Sequence, residues 1–342
     1  MASYYSELLN QNNKKDWEAL NQASSKGSFY HTLRWKDVLE RSFGYKSKYF
    51  MIFHDKDPIA LCPFFEQTVR RFKALVPPPF TDLKHIIISE PSNRTVIETI
   101  VEKSISIANE DACAFVIFVN SNIETNNMIR AVCPNQKKKT APFPVNGYLM
   151  LDLEKNNPTH VWENELRSRH KRQIRRFEQA GFEYRETRSE KDVDIFYEYY
   201  SKNLSHIGAV PFNRSHFNII LTEYKKDLRM TLLEKDNEVA GGLISLLDQD
   251  KKIMYLRYLA INRDIDIQYR NYVPSEALMW EALTKAYELG YKAVCFGTNS
   301  KDEQDLHYIM KKRFGCNYED YYAELMPMNF IYGLFYRISR YI

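Results

Sequence analysis

The chain has 342 residues, of which 44% are hydrophobic and 27% are charged, and its formal net charge at pH 7 is +4. This length exceeds one ordinary domain and suits two domains of about 150–170 residues each. The sequence contains no apolar run of about 18 residues, so it predicts no membrane span. The first residues lack the basic and apolar regions of a signal peptide. The five cysteines are far apart and form no CxxC pair, which predicts neither a disulfide framework nor a metal site. We therefore expect a reduced, cytoplasmic protein.

The first half of the sequence predicts a β-rich meander, then a helix and a buried strand. A helix around residues 35–43 ends near Gly44, and the strands MIF and PIALCPFF flank an acidic turn. A helix over residues 94–109 precedes the apolar strand ACAFVIFVN. The stretch 131–146 holds three lysines and three prolines, which is typical of a surface connection. A further strand, YLMLDL, follows at 148–153.

A basic helix is predicted over residues 158–180. Asn157 is a good N-cap, Pro158 suits the first helical position, and Gly181 suits the C-terminal cap. Six cations lie close together in it, namely Arg167, Arg169, Lys171, Arg172, Arg175 and Arg176. At about 100° per residue they form two rows that flank an apolar stripe. Two interpretations stay open: a surface for a phosphate-rich ligand, or a solvated face paired with glutamates of the same helix.

The second half repeats the order of the first. The segment LLEKDNEVAGGLIS superposes strand, acidic turn and strand on MIFHDKDPIALCPF. A helix from Pro274 to Leu289, capped by Gly290, then leads to the strand YKAVCFG. Two copies of a meander–helix–strand unit predict a duplicated α/β domain with mixed sheets. We place the two domains at residues 1–153 and 154–342.

One strand of the second half, KKIMYLRYLA, carries a candidate acceptor-binding face. By simple alternation Tyr255 and Arg257 point outward, whereas Met254, Leu256 and Tyr258 point to the opposite face. Arginine binds phosphate or carboxylate groups with two parallel hydrogen bonds, so this face could hold an anionic acceptor. The alternative is an ordinary exposed sheet face.

The segment 326–342 is aromatic and apolar, and it contains Arg337 and Arg340. Its apolar residues would share one helical face. Such a helix either lies on a membrane surface or packs against the protein's own second domain.

Several motifs resemble those of one family. The N-terminal half contains SFYHTLRW, FGYKSKYFMIF and VPPPFTD. The C-terminal half contains RSRHKRQIRRFEQAGF, EVAGGLISLL, VPSEALMWEALTKAYELGYKAVCFG and, further on, MKKRFG. In these segments the chain resembles the Fem-type peptidoglycan-bridge aminoacyltransferases and their FemAB/BioF2-like relatives. The resemblance covers nearly the whole chain and implies two tandem domains of the GNAT acyltransferase fold. The sequence departs from the family at His31, at LKHIII after Asp82, and at Met310.

The resemblance implies transfer of an acyl or aminoacyl group to an amine of a cell-surface precursor. In the family, the lysine of the closing Lys-x-x-Phe-Gly motif is thought to stabilise the tetrahedral oxyanion, and here that residue is Lys311. Asp82 matches a family position near the acceptor groove and is a candidate general base. The other candidates for the base, which no spacing singles out, are Glu276, Asp302, His206 and His307.

The donor-binding segment is the part of the sequence that bears on the acyl donor. GNAT enzymes that use acetyl-CoA hold its pyrophosphate in a glycine-rich loop at a helix N-terminus. Here the segment is QYRNYVPSEAL, in which Asn271 and Val273 occupy glycine positions, Pro274 lacks a backbone N–H, and Ser275 follows. This departure favours a donor other than acyl-CoA and no bound cofactor, and the resemblance implies aminoacyl-tRNA.

The expected partners follow from the basic helix and the resemblance. They are a phosphate-bearing acceptor, either nucleotide-linked or lipid-linked and peptidoglycan-like, with tRNA as donor and a peripheral contact at the inner face of the membrane. Two alternatives stay open. One is a CoA-dependent N-acyltransferase in polysaccharide or surface-polymer biosynthesis. The other is a non-catalytic GNAT-like module that binds nucleic acid or a nucleotide through the basic helix.

Overall fold

The computed structural model describes residues 3–69, 71–133, 146–265, 269, 272–329 and 331–332. The chain divides into two compact units, one of Met1–Asn146 with Asp320–Ile342 and one of Gly147–Glu319. All five cysteines are buried and carry free thiols. Among the described residues, no helix is both long enough and apolar enough to cross a membrane.

The first unit starts with helices and small sheets. Its elements in this half of the chain are β1 (Tyr4–Leu8), α1 (Lys14–Ala23), a 3₁₀ turn (Phe29–His31), α2 (Leu33–Phe43), β2 (Lys46–Ser47), β3 (Phe50–His54), β4 (Asp57–Cys62), β5 (Phe65–Val69), β6 (Phe72–Val76), β7 (Ile87–Ile88), α3 (Arg94–Glu110), β8 (Phe115–Asn120) and α4 (Ile123–Val132). α2 begins after Thr32, whose hydroxyl accepts a hydrogen bond from the Trp35 N–H. It ends at Gly44, whose φ of 68° favours glycine. The predicted helices near 35–43 and 94–109 are therefore confirmed.

The core of the first unit lies between α3 and the strands. Val96, Ile97, Ile100 and Val101 recur at helical spacing and are all buried. They belong to one apolar cluster with residues of β3, β4 and β8. β8 is buried along its whole length, which is typical of a strand with both faces covered.

The second unit is built on one seven-stranded sheet in the order β10-β11-β12-β13-β14-β9-β15. Its elements are β9 (Gly147–Asp152), α5 (Pro158–His160), a π turn (Val161–Glu165), α6 (Ser168–Gln179), β10 (Glu183–Glu186), α7 (Glu190–His206), α8 (Arg214–Glu223), β11 (Leu228–Lys235), β12 (Glu238–Asp248), β13 (Ile253–Ile261), α9 (Pro274–Glu288), β14 (Ala293–Asn299), α10 (Leu306–Lys312) and β15 (Asn317–Glu319). Helices α6 and α9 pack against each other, α9 packs on β12 and β13, and α7 also packs on β13.

The same strand pattern recurs in the two units. β6 pairs in parallel with β8, as β13 does with β14. β8 then pairs antiparallel with β16 (Tyr322–Pro327), and β14 pairs antiparallel with β9. The duplicated domain is therefore confirmed. The boundary between the units differs from the one expected at residue 153. β9 follows the first half but joins the sheet of the second unit, and β16 follows the second half but joins a sheet of the first unit. The hydrophobic alternation of the sequence does not show such an exchange of strands.

The predicted helix over residues 158–180 is two helices. Leu166 and Arg167 have extended backbone, so α6 begins at Ser168. The N–H of Leu166 donates to the carbonyl oxygen of Val161 at 3.0 Å, the i→i+5 bond of a π turn. Residues five apart in an α-helix lie about 140° apart around its axis. The π turn therefore lets Val161 and Leu166 both reach the core, where each is buried.

The C-terminal segment is described only in part. Of residues 326–342, the structure describes 326–329 and 331–332, and β16 ends at Pro327. The predicted amphipathic helix therefore lies largely outside the described residues.

Candidate functional site

The sheet of the second unit opens between its two parallel strands. β13 and β14 pair from Ile253 with Ala293 to Tyr255 with Cys295. Both strands continue beyond these residues, to Ile261 and Asn299, with no further pairing between them in the described part of the chain. α9 connects the two strands and so begins at their carboxyl ends. The first turn of α9 therefore stands at this opening, where helix N–H groups and the helix dipole favour negative charge.

A β-bulge lies on β13 beside the opening. Ser245 pairs with Leu256 and Ile244 with Tyr258, so Arg257 is the extra residue on its strand. The bulge overturns the predicted alternation of this strand. Tyr255 is fully buried rather than exposed, because α7 and α9 cover the two faces of the sheet. Beyond the bulge the alternation is shifted by one residue, which brings Tyr258 to the same face as Tyr255 rather than the opposite one.

Arg257 adjoins a buried aromatic cluster. Its guanidinium lies 4.9 Å from the centre of the Tyr258 ring. The Tyr258 hydroxyl lies 2.8 Å from Nε2 of His216, a residue of α8. Burial, with a smaller contribution from the Arg257 charge, lowers the pKa of His216 to about 3. The imidazole is therefore neutral near pH 7, and the cluster presents one cation beside aromatic rings.

Lys311 lies against the separated part of β14. Its Nζ is 3.4 Å from the carbonyl oxygen of Thr298. Phe314 is buried, with its ring 5.3 Å from that of Phe296. Gly315 has a φ of 79°, and a Cβ added there would lie 2.9 Å from Cγ of Glu165. The Phe and Gly of the motif thus fix the end of α10, and the half-buried lysine is held beside the opening.

A buried carboxylate joins the basic helix to the first turn of α9. Glu276 is the third residue of α9 and is 5% exposed. Nδ1 of His170 lies 2.9 Å from its Oε1 and 3.1 Å from its Oε2. Arg313, which follows α10, places a guanidinium nitrogen 3.3 Å from Oε1. Sequence reasoning did not find this cluster, although His170 falls on the apolar stripe with Leu166 and Ile174 at four-residue intervals.

Two of the predicted donor-binding residues, Pro274 and Ser275, lie in the first turn of α9. Pro274 is buried at the first position of α9. The Ser275 hydroxyl lies 3.6 Å from the sulfur of Met310. Asn271 lies outside the described residues.

The basic helix presents one cationic face. Within the described part of the chain, none of its six cations forms an ion pair, so pairing with Glu163, Glu165 or Glu178 is not observed. The buried residues of α6 are His170, Ile174 and Phe177. At about 100° per residue, the five helical cations lie from about 100° to about 260° around from His170. Arg167 precedes the helix, so the two predicted rows become a single face turned away from the core.

Two of these cations also contact aromatic rings. The Arg175 guanidinium lies 4.9 Å from the centre of the Trp162 ring, and that of Arg176 lies 5.8 Å from the Tyr272 ring. Such contacts orient a guanidinium without neutralising its charge. The face therefore keeps its capacity for a polyanion.

Asp82 belongs to the first unit and Lys311 to the second, so the two predicted catalytic residues are held by different units. Asp82 is buried. Its Oδ2 accepts a hydrogen bond of 2.8 Å from the Tyr30 hydroxyl, and its backbone oxygen accepts one of 2.9 Å from the Tyr321 hydroxyl.

Comparison with known proteins agrees with this geometry. Residues 164–308 match a family model described as an acetyltransferase (GNAT) domain. Among solved structures, FemX superposes with a TM-score of 0.69 at 11% identity, covering 97% of this chain and 99% of FemX. A tandem GNAT protein from the clavulanic acid biosynthesis pathway superposes with a TM-score of 0.62 at 8% identity, covering 96% and 99%. No curated protein sequence matches the chain significantly.

A third structure is the C-terminal domain of an Agrobacterium fabrum protein assigned as a lysylphosphatidylglycerol synthetase. Its TM-score is 0.59 at 12% identity, and the match covers 97% of each chain. At these identities the three structures establish the fold. The chain is an α/β protein of two tandem GNAT-like domains, and its match to an acetyltransferase domain makes it an acyltransferase.

Proposed function

We propose that this chain transfers an aminoacyl group from a donor other than acyl-CoA to an amine of a phosphate-bearing acceptor. The observation that carries the proposal is the position of Lys311, which is held beside the opening between β13 and β14. The acceptor class is a nucleotide-linked or lipid-linked precursor of a surface polymer. Aminoacyl-tRNA is the first donor to test, in keeping with the likeness to FemX.

The reaction is aminolysis of an ester. The amine nitrogen attacks the carbonyl carbon of the donor, and the C–O bond to the donor's hydroxyl oxygen then breaks. The Lys311 ammonium stabilises the oxyanion formed in between, because a cation at that place favours the transition state over the neutral ester. The proton lost by the attacking amine passes through water to the leaving oxygen, so the step needs no protein base.

The first turn of α9 supports a donor without a CoA-type pyrophosphate. Pro274 offers no N–H to a phosphate, and the Ser275 hydroxyl contacts Met310. Glu276 already places a carboxylate in this turn, with His170 and Arg313 bound to it. The first turn of α9 therefore already holds an anionic group of the protein itself.

The cationic face of α6 supports the phosphate-bearing acceptor. Its cations form no ion pair with the described residues, and clustered arginines bind phosphate groups with two parallel hydrogen bonds. The same face would also suit the backbone of tRNA. Contact with a membrane through the segment 326–342 belongs to this proposal as well, and sedimentation with anionic lipid vesicles tests it.

The test uses two radiolabelled donors, aminoacyl-tRNA and acetyl-CoA. Each is incubated with the purified chain and with nucleotide-linked or lipid-linked precursor fractions, and label in the acceptor is counted. Lys311→Ala is expected to slow transfer from aminoacyl-tRNA about 100- to 1000-fold. It should leave donor affinity within about twofold, because the lysine acts on the oxyanion rather than on the bound ester.

Lys285→Ala is the matched control, since Lys285 lies in the last turn of α9 and pairs with Glu288 on the surface. Wild-type turnover by Lys311→Ala would show that the catalytic assignment is wrong. If acetyl-CoA binds with micromolar affinity in equilibrium dialysis and its acetyl group is transferred, the proposed donor is wrong. The chain is then the CoA-dependent N-acyltransferase of the alternative.

A further inference from the structure

The four tryptophans of the chain fall into two classes. Trp17 and Trp35, in the first unit, are fully buried, and their indole N–H groups donate to oxygen atoms of the same unit. Trp162 and Trp280, in the second unit, are only half-buried. Neither of their indole N–H groups has a partner among the described residues, and neither is withdrawn from solvent. A packed tryptophan ring with a free N–H at the surface is typical of binding interfaces.

The two half-buried tryptophans form one surface with the basic helix. Trp162 lies in the π turn before α6 and Trp280 lies on α9, and their ring centres are 4.9 Å apart. Both rings pack against the apolar cluster that fills the second unit. The Arg175 guanidinium lies 4.9 Å from the centre of the Trp162 ring. The core therefore holds a pair of rings in place, and the pair carries a guanidinium on its outer side.

The outer side of this guanidinium is open to a ligand. Arg175 is exposed and, among the described residues, has neither an ion pair nor a hydrogen bond from its side chain. Glu163 and Glu178, the carboxylates nearest to the arginine–tryptophan pair in the sequence, are exposed and do not pair with it. A guanidinium over an aromatic ring keeps its charge and is weakly hydrated, so its outer side accepts another flat group. Bases of unpaired nucleic-acid strands stack on arginine planes and aromatic rings in this way.

The neighbouring residues of α6 suit the phosphates of such a strand. Arg172 is exposed and precedes Arg175 by three residues, so the two are neighbours on the helix surface. A helix that lies on a membrane presents apolar side chains to the bilayer. The exposed residues of α6 are instead all polar, namely Ser168, Arg169, Arg172, Arg175, Glu178 and Gln179. This composition favours a nucleic acid over a lipid surface.

We propose that Trp162, Trp280 and Arg175 form a stacking platform for a base of an unpaired RNA strand, whose phosphates bind the adjoining arginines of α6. The inference rests on the proposed function in naming the donor tRNA as the source of that strand. It adds a contact with bases to the contacts with phosphates. The platform thereby distinguishes RNA from other polyanions.

Two oligomers that differ only in their bases test the proposal. One is a single strand of adenylate about eight nucleotides long, within the usual span of one binding site. The other is an abasic strand with the same number of phosphates. Tryptophan fluorescence of the full chain follows both titrations, and buried Trp17 and Trp35 give a constant background. At equal salt concentration, the adenylate strand should bind about tenfold more tightly and quench the emission, whereas the abasic strand should bind without quenching.

Three variants locate the contact. Trp162→Leu should weaken adenylate binding about tenfold, to the level of the abasic strand, and leave the salt dependence unchanged because no phosphate contact is lost. Arg175→Lys keeps the charge but loses the flat guanidinium, so it should also lose most of the preference for bases. Its exposed position makes a folding defect unimportant. Arg172→Lys is the matched control, because Arg172 is exposed and contacts no aromatic ring among the described residues. It should retain the preference.

Equal affinities of the wild-type chain for the two oligomers overturn the proposal. A preference for bases that survives in both Trp162→Leu and Arg175→Lys overturns it too. A blue shift of the tryptophan emission with phosphatidylglycerol vesicles, without quenching by adenylate, assigns the platform to a membrane surface instead. No transfer is measured in these titrations, so their result is distinct from wild-type turnover by Lys311→Ala, which would contradict the proposed function.

Discussion

Nδ1 of His170 lies 2.9 Å from Oε1 of Glu276, and this contact fastens the basic helix α6 to the first turn of α9. Arg313 reaches the same carboxylate oxygen at 3.3 Å. One side chain therefore ties together the cationic face, the helix end at the opening, and the segment that directly follows Lys311. This cluster therefore holds the cationic face of α6 at a fixed place relative to the end of α10, which carries Lys311.

Removal of the Glu276 carboxylate should destabilise the second unit. In Glu276→Ala, His170 and Arg313 lose their common partner, and a buried ion pair broken on one side typically costs about 3–5 kcal/mol. We expect about 2–4 kcal/mol here, because Arg313 is partly exposed and water can replace part of the interaction. The measurement is urea unfolding.

The control for this prediction is Glu178→Ala. Glu178 lies on the exposed side of α6, so its loss should change stability by less than about 0.5 kcal/mol. Equal unfolding midpoints for the two variants would show that the His170–Glu276 contact does not hold α6 in place.

The sequence predicted features that depend on neighbouring residues. Gly44 marked the end of α2, Pro274 marked the start of α9, and the helix predicted from residue 94 begins at Arg94. The burial of His170 was not predicted, because the residue stands among six cations in the sequence. Its partner could not be predicted, since Glu276 lies 106 residues away in the chain.

Features that depend on strand pairing were not predicted either, because they also involve residues far apart in the chain. The bulge at Arg257 exists only in relation to β12, so the strand's own alternation gave the wrong face for Tyr258. The exchange of β9 and β16 likewise follows from which sheet each strand joins. The motif around Lys311 can be read from neighbouring residues in the sequence. Nearly all the contacts that position it come from residues far away in the chain.

The neutral, buried His216 should make stability depend on pH. Its pKa is about 3 in the folded protein against an ordinary value of 6.5. Between these values the unfolded chain binds the proton more readily, so the stability contributed by His216 is present above pH 6.5 and is lost as the pH falls towards 3. The loss should be about 1.4 kcal/mol for each pH unit below 6.5.

His216→Gln should remove this part of the slope when urea unfolding is compared at pH 7.5, 6 and 5. Burial also lowers the pKa of His85 in the first unit, so some slope remains in the variant. His206→Gln is the control, because His206 is exposed at the end of α7 and should leave the slope unchanged. Identical slopes for wild type and His216→Gln would contradict the buried, neutral state.

The cationic face of α6 should give binding to tRNA a steep salt dependence. Each phosphate contact contributes about −0.7 to −0.9 to the slope of log affinity against log salt concentration. Reversing two charges in Arg172→Glu/Arg176→Glu should therefore make the slope less steep by about two and weaken binding at every salt concentration. Fluorescence anisotropy of labelled tRNA between about 50 and 200 mM salt measures both quantities.

The matched control reverses two exposed lysines at the start of α1, in Lys14→Glu/Lys15→Glu. Both variants change the net charge equally, so a long-range effect of total charge would weaken binding in both. Loss confined to the α6 variant assigns the contact to this face. If the two variants behave alike, the six clustered cations do not contact the nucleic acid, and the donor must be held by other residues.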